Sequence, residues 1–104
     1  MRRNKFRAKP TVVDGIRFDS KRESQHYTYL KSLVAAGEIS DLALQPSYDI
    51  VINGQKICKV KLDFSYMKDG EFIVEDVKGM DTPMSRLKRK LVKACHDIDV
   101  VIIK

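Results

Sequence analysis

Asp63, Glu75, Asp76 and Lys78 fall in one stretch, LDFSYMKDGEFIVEDVKG, which runs from Leu62 to Gly79. Paired carboxylates are hard oxygen ligands of the kind that hold Mg²⁺. A lysine beside them can orient or deprotonate a water, or offset charge developing on a phosphate. Whether these groups meet depends on how the residues between them fold.

The stretch reads as two strands joined by a tight turn at Asp69-Gly70, a strong two-residue hairpin signal. That turn makes Lys68 face Glu71, Tyr66 face Ile73, Phe64 face Glu75, and Asp63 face Asp76. Opposed side chains in such a pair have Cβ atoms about 4.5–5.5 Å apart. Lys78 is two residues beyond Asp76 and points the same way. Val60, Leu62, Phe64, Tyr66, Ile73 and Val77 form the expected core face, with Glu75 near its edge. Lys59, Lys61, Ser65, Met67, Phe72 and Val74 share the face of Asp63 and Asp76, which a plain reading leaves in water. Opposed carboxylates repel, however, and Asp is a poor strand residue. A divalent cation between them reverses the sign of that interaction.

Glu23 is the third candidate acid. Ser20-Lys21-Arg22-Glu23 matches a capping box at a helix start, which explains Glu23 by local structure alone. Its spacing from Tyr27 and Leu30 also places it on the helix face that meets the sheet. Three carboxylates and a lysine suit metal-assisted phosphodiester hydrolysis. Mg²⁺ would be held by Asp63 and Asp76, with Glu23 across the interface.

The elements that must position these groups follow from turns and caps. Residues 1–12 read as a flexible basic arm before a single domain at 13–104. Asp14-Gly15 suggests a tiny hairpin from Val12 to Phe18. A helix starts at Ser20, carries an apolar stripe of Tyr27, Leu30, Leu33 and Val34, and stops at Gly37. A strand from Asp41 to Ile52, interrupted near Pro46, turns at Asn53-Gly54 into Gln55–Met67; Glu71–Lys78 follows. Thr82-Pro83 opens a second helix with Leu87, Leu91 and Ala94/Cys95 inward. DIDVVIIK closes the chain as a strand buried on both faces and parallel to a neighbour. The order α-β-β-β-α-β predicts an α/β domain with a central mixed sheet flanked by helices.

Composition narrows the function. The 104 residues are 43% hydrophobic, enough for one core. No apolar run reaches the roughly 18 residues of a membrane span, and the basic N-terminus lacks the apolar segment of a secretory signal. Cys58 and Cys95 therefore read as free thiols in a reducing cytoplasm. The net charge is +6. It is concentrated in Arg2, Arg3, Lys5, Arg7 and Lys9, and again in Arg86, Lys88, Arg89, Lys90 and Lys93. Such runs bind nucleic-acid phosphates without regard to sequence, or merely keep a surface solvated.

The set of Glu23, Asp63 in "LDF" and Asp76-Val77-Lys78 resembles the PD-(D/E)XK nuclease superfamily. The stretches "VDGIRFDSKRESQHY", "LQPSY", "LDFSY" and "VEDVKG" are similar to a family of small phage and prophage proteins. The resemblance implies a restriction-endonuclease-like core and a Mg²⁺-dependent endodeoxyribonuclease in which Mn²⁺ substitutes, with no organic cofactor. It also implies a homodimer acting on branched DNA like a Holliday-junction resolvase, in the cytoplasm of a bacterial host. Glu75 becomes a supporting residue, and Gln45 lines the site. The superfamily's proline-aspartate pair is Leu62-Asp63 here. Two other readings stay open: a non-catalytic DNA-binding module, or a phage–host interaction protein on the same fold.

Overall fold

The computed structural model describes residues 10–104. Three tight turns set the strand registers. At Asp14-Gly15, Asn53-Gly54 and Asp69-Gly70 both turn residues have positive φ, the type I′ geometry that matches strand twist. They join β1 (Thr11–Val13) to β2 (Ile16–Phe18), β4 (Ser47–Ile52) to β5 (Gln55–Lys61), and β6 (Phe64–Lys68) to β7 (Glu71–Val77). The remaining elements are α1 (Lys21–Ala35), β3 (Ser40–Leu44), α2 (Pro83–His96) and β8 (Val100–Ile103). Ordered pairing begins at Thr11, inside the stretch expected to be an arm.

Helix α1 begins where expected: the Ser20 side chain accepts the Glu23 amide proton at 3.1 Å. It ends with the Glu38 amide donating to the Leu33 carbonyl and the Gly37 amide to Val34. Those are the two bonds of a Schellman stop, with Gly37 in the left-handed conformation that the motif requires. Helix α2 is capped by Thr82, whose hydroxyl accepts from the Ser85 amide, with Pro83 in the first turn.

A mixed sheet in the order β3-β6-β7-β8 lies at the centre, antiparallel except for the β7–β8 pair. Helix α1 and the β1–β2 hairpin cover one face through Phe18, Tyr27, Leu30, Ile39, Phe64 and Tyr66. The other face packs Val74 with Val92 of α2 and with Ile50, Val60 and Leu62. The molecule is thus an α/β domain with a mixed sheet and a helix on each side.

Several expectations are corrected. Each of the two long strands breaks in the middle, so β4 and β5 leave the central sheet as a separate pair. Val60 and Leu62 consequently belong to the α2 core rather than to the Phe64 and Tyr66 face. The face that a plain reading leaves in water is covered in its middle: Ser65, Val74 and Asp76 are buried, while Phe72, Lys59 and Lys61 stay exposed. Both helices also differ in detail. Val34 is exposed, and α2 buries Val92 completely while Leu87 is 49% exposed and Ala94 exposed. Finally, β8 is an edge strand with Val101 in solvent, so it is not buried on both faces.

Phe64 is fully buried and Phe72 more than half exposed on neighbouring strands. Phe64→Ala should lower unfolding free energy by about 3–5 kcal/mol, and Phe72→Ala by about 0.5 kcal/mol or less. Urea titration of both variants tests the placement, and equal losses would contradict it.

Candidate active site

The register brings the acids together by an irregular route. Pairing is regular from Lys68↔Glu71 to Phe64↔Glu75 and then stops. Asp63 donates its amide to the Glu75 carbonyl at 3.2 Å. The next main-chain acceptor has left with β5, so the Asp63 carboxylate replaces it and takes the Val77 amide proton at 2.7 Å. The break is held from the other side as well. The Gln45 amide donates to the Asp63 carbonyl, and the Leu62 amide to the Pro46 carbonyl, both at 2.9 Å. Gln45 itself has φ +53°, an unfavourable conformation for a side chain of this kind that marks strained positions near functional sites. What Gln45 contributes here is main chain.

Around this break the structure gathers Glu23, Asp63, Asp76 and Lys78. Asp76 and Glu23 lie close enough to the Asp63 carboxyl for both to disfavour its ionisation. Glu23 and Asp76 are each buried. Lys78 Nζ lies 3.0 Å from Asp76 Oδ2, half-buried at the rim. Its amide donates to the Ile103 carbonyl, continuing the β7–β8 ladder beyond the last paired residue. Arg22 reaches over the same spot with Nη1 3.4 Å from the Lys78 carbonyl.

Burial raises the Asp63 pKa to about 8, and the hydrogen bond with Asp76 adds to it, against the opposing Val77 amide. Burial is also the main cause of an upward shift at Glu23, with the nearby Asp19 charge next. Neighbouring buried carboxyls are relieved either by a proton or by a cation between them. Among the described residues no three His, Cys, Asp or Glu side chains are already arranged as a metal cage. The donor set nevertheless suits Mg²⁺, which takes few carboxylates, keeps several waters and favours oxygen.

Glu75 points to the opposite face, as strand alternation predicts. There it is buried and accepts from Tyr66 Oη at 2.6 Å, while His26 Nε2 lies 2.7 Å from its other oxygen. Burial, and then the bond to Glu75, push the Tyr66 hydroxyl up. His26 packs edge-on to Phe64. His26 and Glu23 are one helical turn apart, so this contact fixes α1 to β7 just behind the acids. Sequence reasoning missed His26, although it stands in the quoted "RESQHY". Nothing local reveals a partner on β7.

The basic run on α2 is unevenly committed. Arg89 makes two 2.9 Å bonds to the Asp81 carboxylate, which hold that carboxyl below its usual range. Arg86 donates to the Asp81 carbonyl, and Lys93 pairs with Asp97 and Asp99. Lys88 and Lys90 are exposed and form no ion pair among the described residues. Arg2, Arg3, Lys5, Arg7 and Lys9 lie outside the described residues.

A raised folded-state pKa means that the fold favours the protonated Asp63. Its contribution is complete below the ordinary carboxylate range and is lost as pH rises through about 8. The melting temperature of metal-free protein should therefore fall between about pH 5 and pH 8.5. Asp63→Asn, which mimics the protonated carboxyl, should flatten that decline. A wild-type melting temperature that is constant or rising across the window would contradict the assignment.

A family model described as "Protein of unknown function (DUF1064)" matches residues 3–102. No curated protein and no solved structure matches the chain.

Proposed function

We propose that this chain, which belongs to the DUF1064 family, is a Mg²⁺-dependent endodeoxyribonuclease that hydrolyses phosphodiester bonds in branched or otherwise structured DNA. The observation that carries the reading is the meeting of Glu23, Asp63 and Asp76, with Lys78 3.0 Å from Asp76. A stable fold has no use for three carboxyls gathered at one strand break, because burying them disfavours their charged forms. A module that only bound DNA would gain nothing from turning carboxylates toward phosphate.

Asp63 and Asp76 are the residues that would hold the ion, and Glu23 lies beside them. When bound, Mg²⁺ supplies Lewis acidity toward the phosphate and lowers the pKa of water. The chain does the positioning. The Val77 amide fixes one oxygen of Asp63, which leaves the other to face the site. Lys78 extends its ammonium from the rim of the acid group, where it can donate to a phosphate oxygen and offset developing charge. Glu75 stays on the far face and orients α1 through His26. The PD-(D/E)XK likeness, the action as a homodimer and the phage origin belong to this proposal on the same footing.

Two measurements test it. Purified protein is incubated with single-stranded, duplex, flap and four-way DNA, with and without Mg²⁺. It should nick the four-way substrate only with metal, Mn²⁺ substituting. Lys78→Ala should lower the rate about 100-fold or more, as loss of a positioned electrostatic group does, while DNA binding persists. Failure of the wild type to cut any DNA would sink the enzyme, and equal cutting of linear duplex would remove the structural preference. Separately, Mg²⁺ should raise the melting temperature more at about pH 8 than at about pH 5, because the ligands must shed the shared proton to bind. Asp76→Asn should abolish that rise, and a rise it leaves intact would place the ion elsewhere.

A further inference from the structure

The β4–β5 hairpin serves the core with only one half of its length. Ile50 and Val60 are buried, yet every residue from Val51 to Ile57 is exposed. Three of those residues are branched aliphatics: Val51 is 48% exposed, Ile52 46% and Ile57 56%. The register explains how they come to share the tip. Pairing shifts between Ile50↔Cys58 and Val51↔Lys56, which leaves Ile57 as the extra residue of a bulge. A bulge twists a strand and re-aims its side chains. Isolated exposed aliphatics are ordinary, but three within the last pairs of one two-stranded ribbon, Val51 and Ile52 on its opposite faces, make a candidate contact surface.

The charge around the tip selects the partner. The hairpin carries Lys56, Lys59 and Lys61 against a single acid, Asp49, which is paired with Lys56 at 3.4 Å. Lys59 and Lys61 form no ion pair among the described residues. Helix α2, with its exposed Lys88 and Lys90, is fastened along β4: His96 Nε2 lies 2.7 Å from the Asp49 carbonyl and Cys95 Sγ 3.7 Å from that of Val51. A basic shaft that exposes three aliphatics just behind the polar Asn53-Gly54-Gln55-Lys56 turn suits DNA whose bases are partly unstacked. Phosphates meet the lysines, and aliphatic side chains wedge between bases.

We infer that the β4–β5 hairpin is the element that reads DNA structure, its Val51, Ile52 and Ile57 tip entering the unpaired bases of a branch point. This rests on the nuclease reading and gives it a geometry. The base of the hairpin, the Ser47↔Lys61 pair, adjoins Asp63 across Leu62. At about 3.3 Å per residue, the tip stands about 20 Å from the acids. At 3.4 Å per nucleotide along a strand, cleavage falls within about six nucleotides of the branch.

The test uses full-length protein and a four-way junction carrying 2-aminopurine beside the branch, with the matching linear duplex as reference. Without divalent metal, wild-type protein should raise the 2-aminopurine fluorescence and bind the junction at least tenfold more tightly than the duplex. Ile52→Ser/Ile57→Ser should lose the fluorescence rise and most of that preference, with its circular dichroism unchanged. Lys59→Ala/Lys61→Ala should instead weaken both DNAs alike and flatten the salt dependence. A tip variant that unstacks the branch as wild type does overturns the inference. So does a tip whose only effect is to abolish self-association in sedimentation, which would make it a contact between copies. A wild-type protein that opens the branch but never cuts, with any metal, would uphold the hairpin's role and overturn the nuclease.

Discussion

One hydrogen bond lets this sheet end where it does. Just before β6 begins the chain comes in from the β4–β5 hairpin, and the Val77 amide would lose its acceptor. Asp63 supplies a side-chain oxygen in place of the missing carbonyl. A buried amide without a partner is expensive, so this position needs a short acceptor whose reach fits the gap. The residue that caps the sheet is therefore also an acid of the site. The strand break, the departure of β5 and the gathering of carboxyls are consequences of a single arrangement.

That arrangement is expensive in charge. Glu23 and Asp76 are buried, and Asp63 shifts far upward because burial and its neighbours disfavour ionisation. Lys78 at the rim answers part of the charge. On the other side of β7 the same problem is solved locally. Glu75 is buried too, but Tyr66 and His26 donate to it within one compact group. Among the described residues no buried side-chain polar atom lacks a hydrogen-bond partner. The two faces differ in kind: Glu75 is answered by two neutral or cationic partners, whereas Asp63 is crowded by two further acids.

What could be read in the sequence was whatever is settled within a few residues. The Asp69-Gly70 turn alone fixes Phe64 opposite Glu75, and the fold keeps that pairing. Ser20, Thr82 and Gly37 mark the helix ends for equally local reasons. Pro46 signalled a break, but not that the chain would change sheets there, because that depends on Asp63 and Val77 across the break. The cover over Val74 could not be read locally because Val92 of α2 arrives from a distant segment. The inward face of α2 turned toward Val92 rather than Leu87 because the helix also packs on β4 through Cys95 and His96. His26 was invisible for the same reason, since its partner is 49 residues away.

The separations along the chain also set an order of assembly. The Asp63–Val77 contact closes a loop of only 14 residues around a tight turn, an event that proceeds in microseconds for an isolated hairpin. The contact between His26 and Glu75 spans 49 residues and waits on the docking of α1, which pays a larger loop-closure entropy. Loop closure alone thus favours bringing the acid pair together before the helix that completes the site has docked. During that interval it remains in water, where the repulsion between its members is weak. Along that route burial would make the repulsion strong only after the geometry is fixed, so the site's electrostatic strain would be loaded late in folding rather than carried through it.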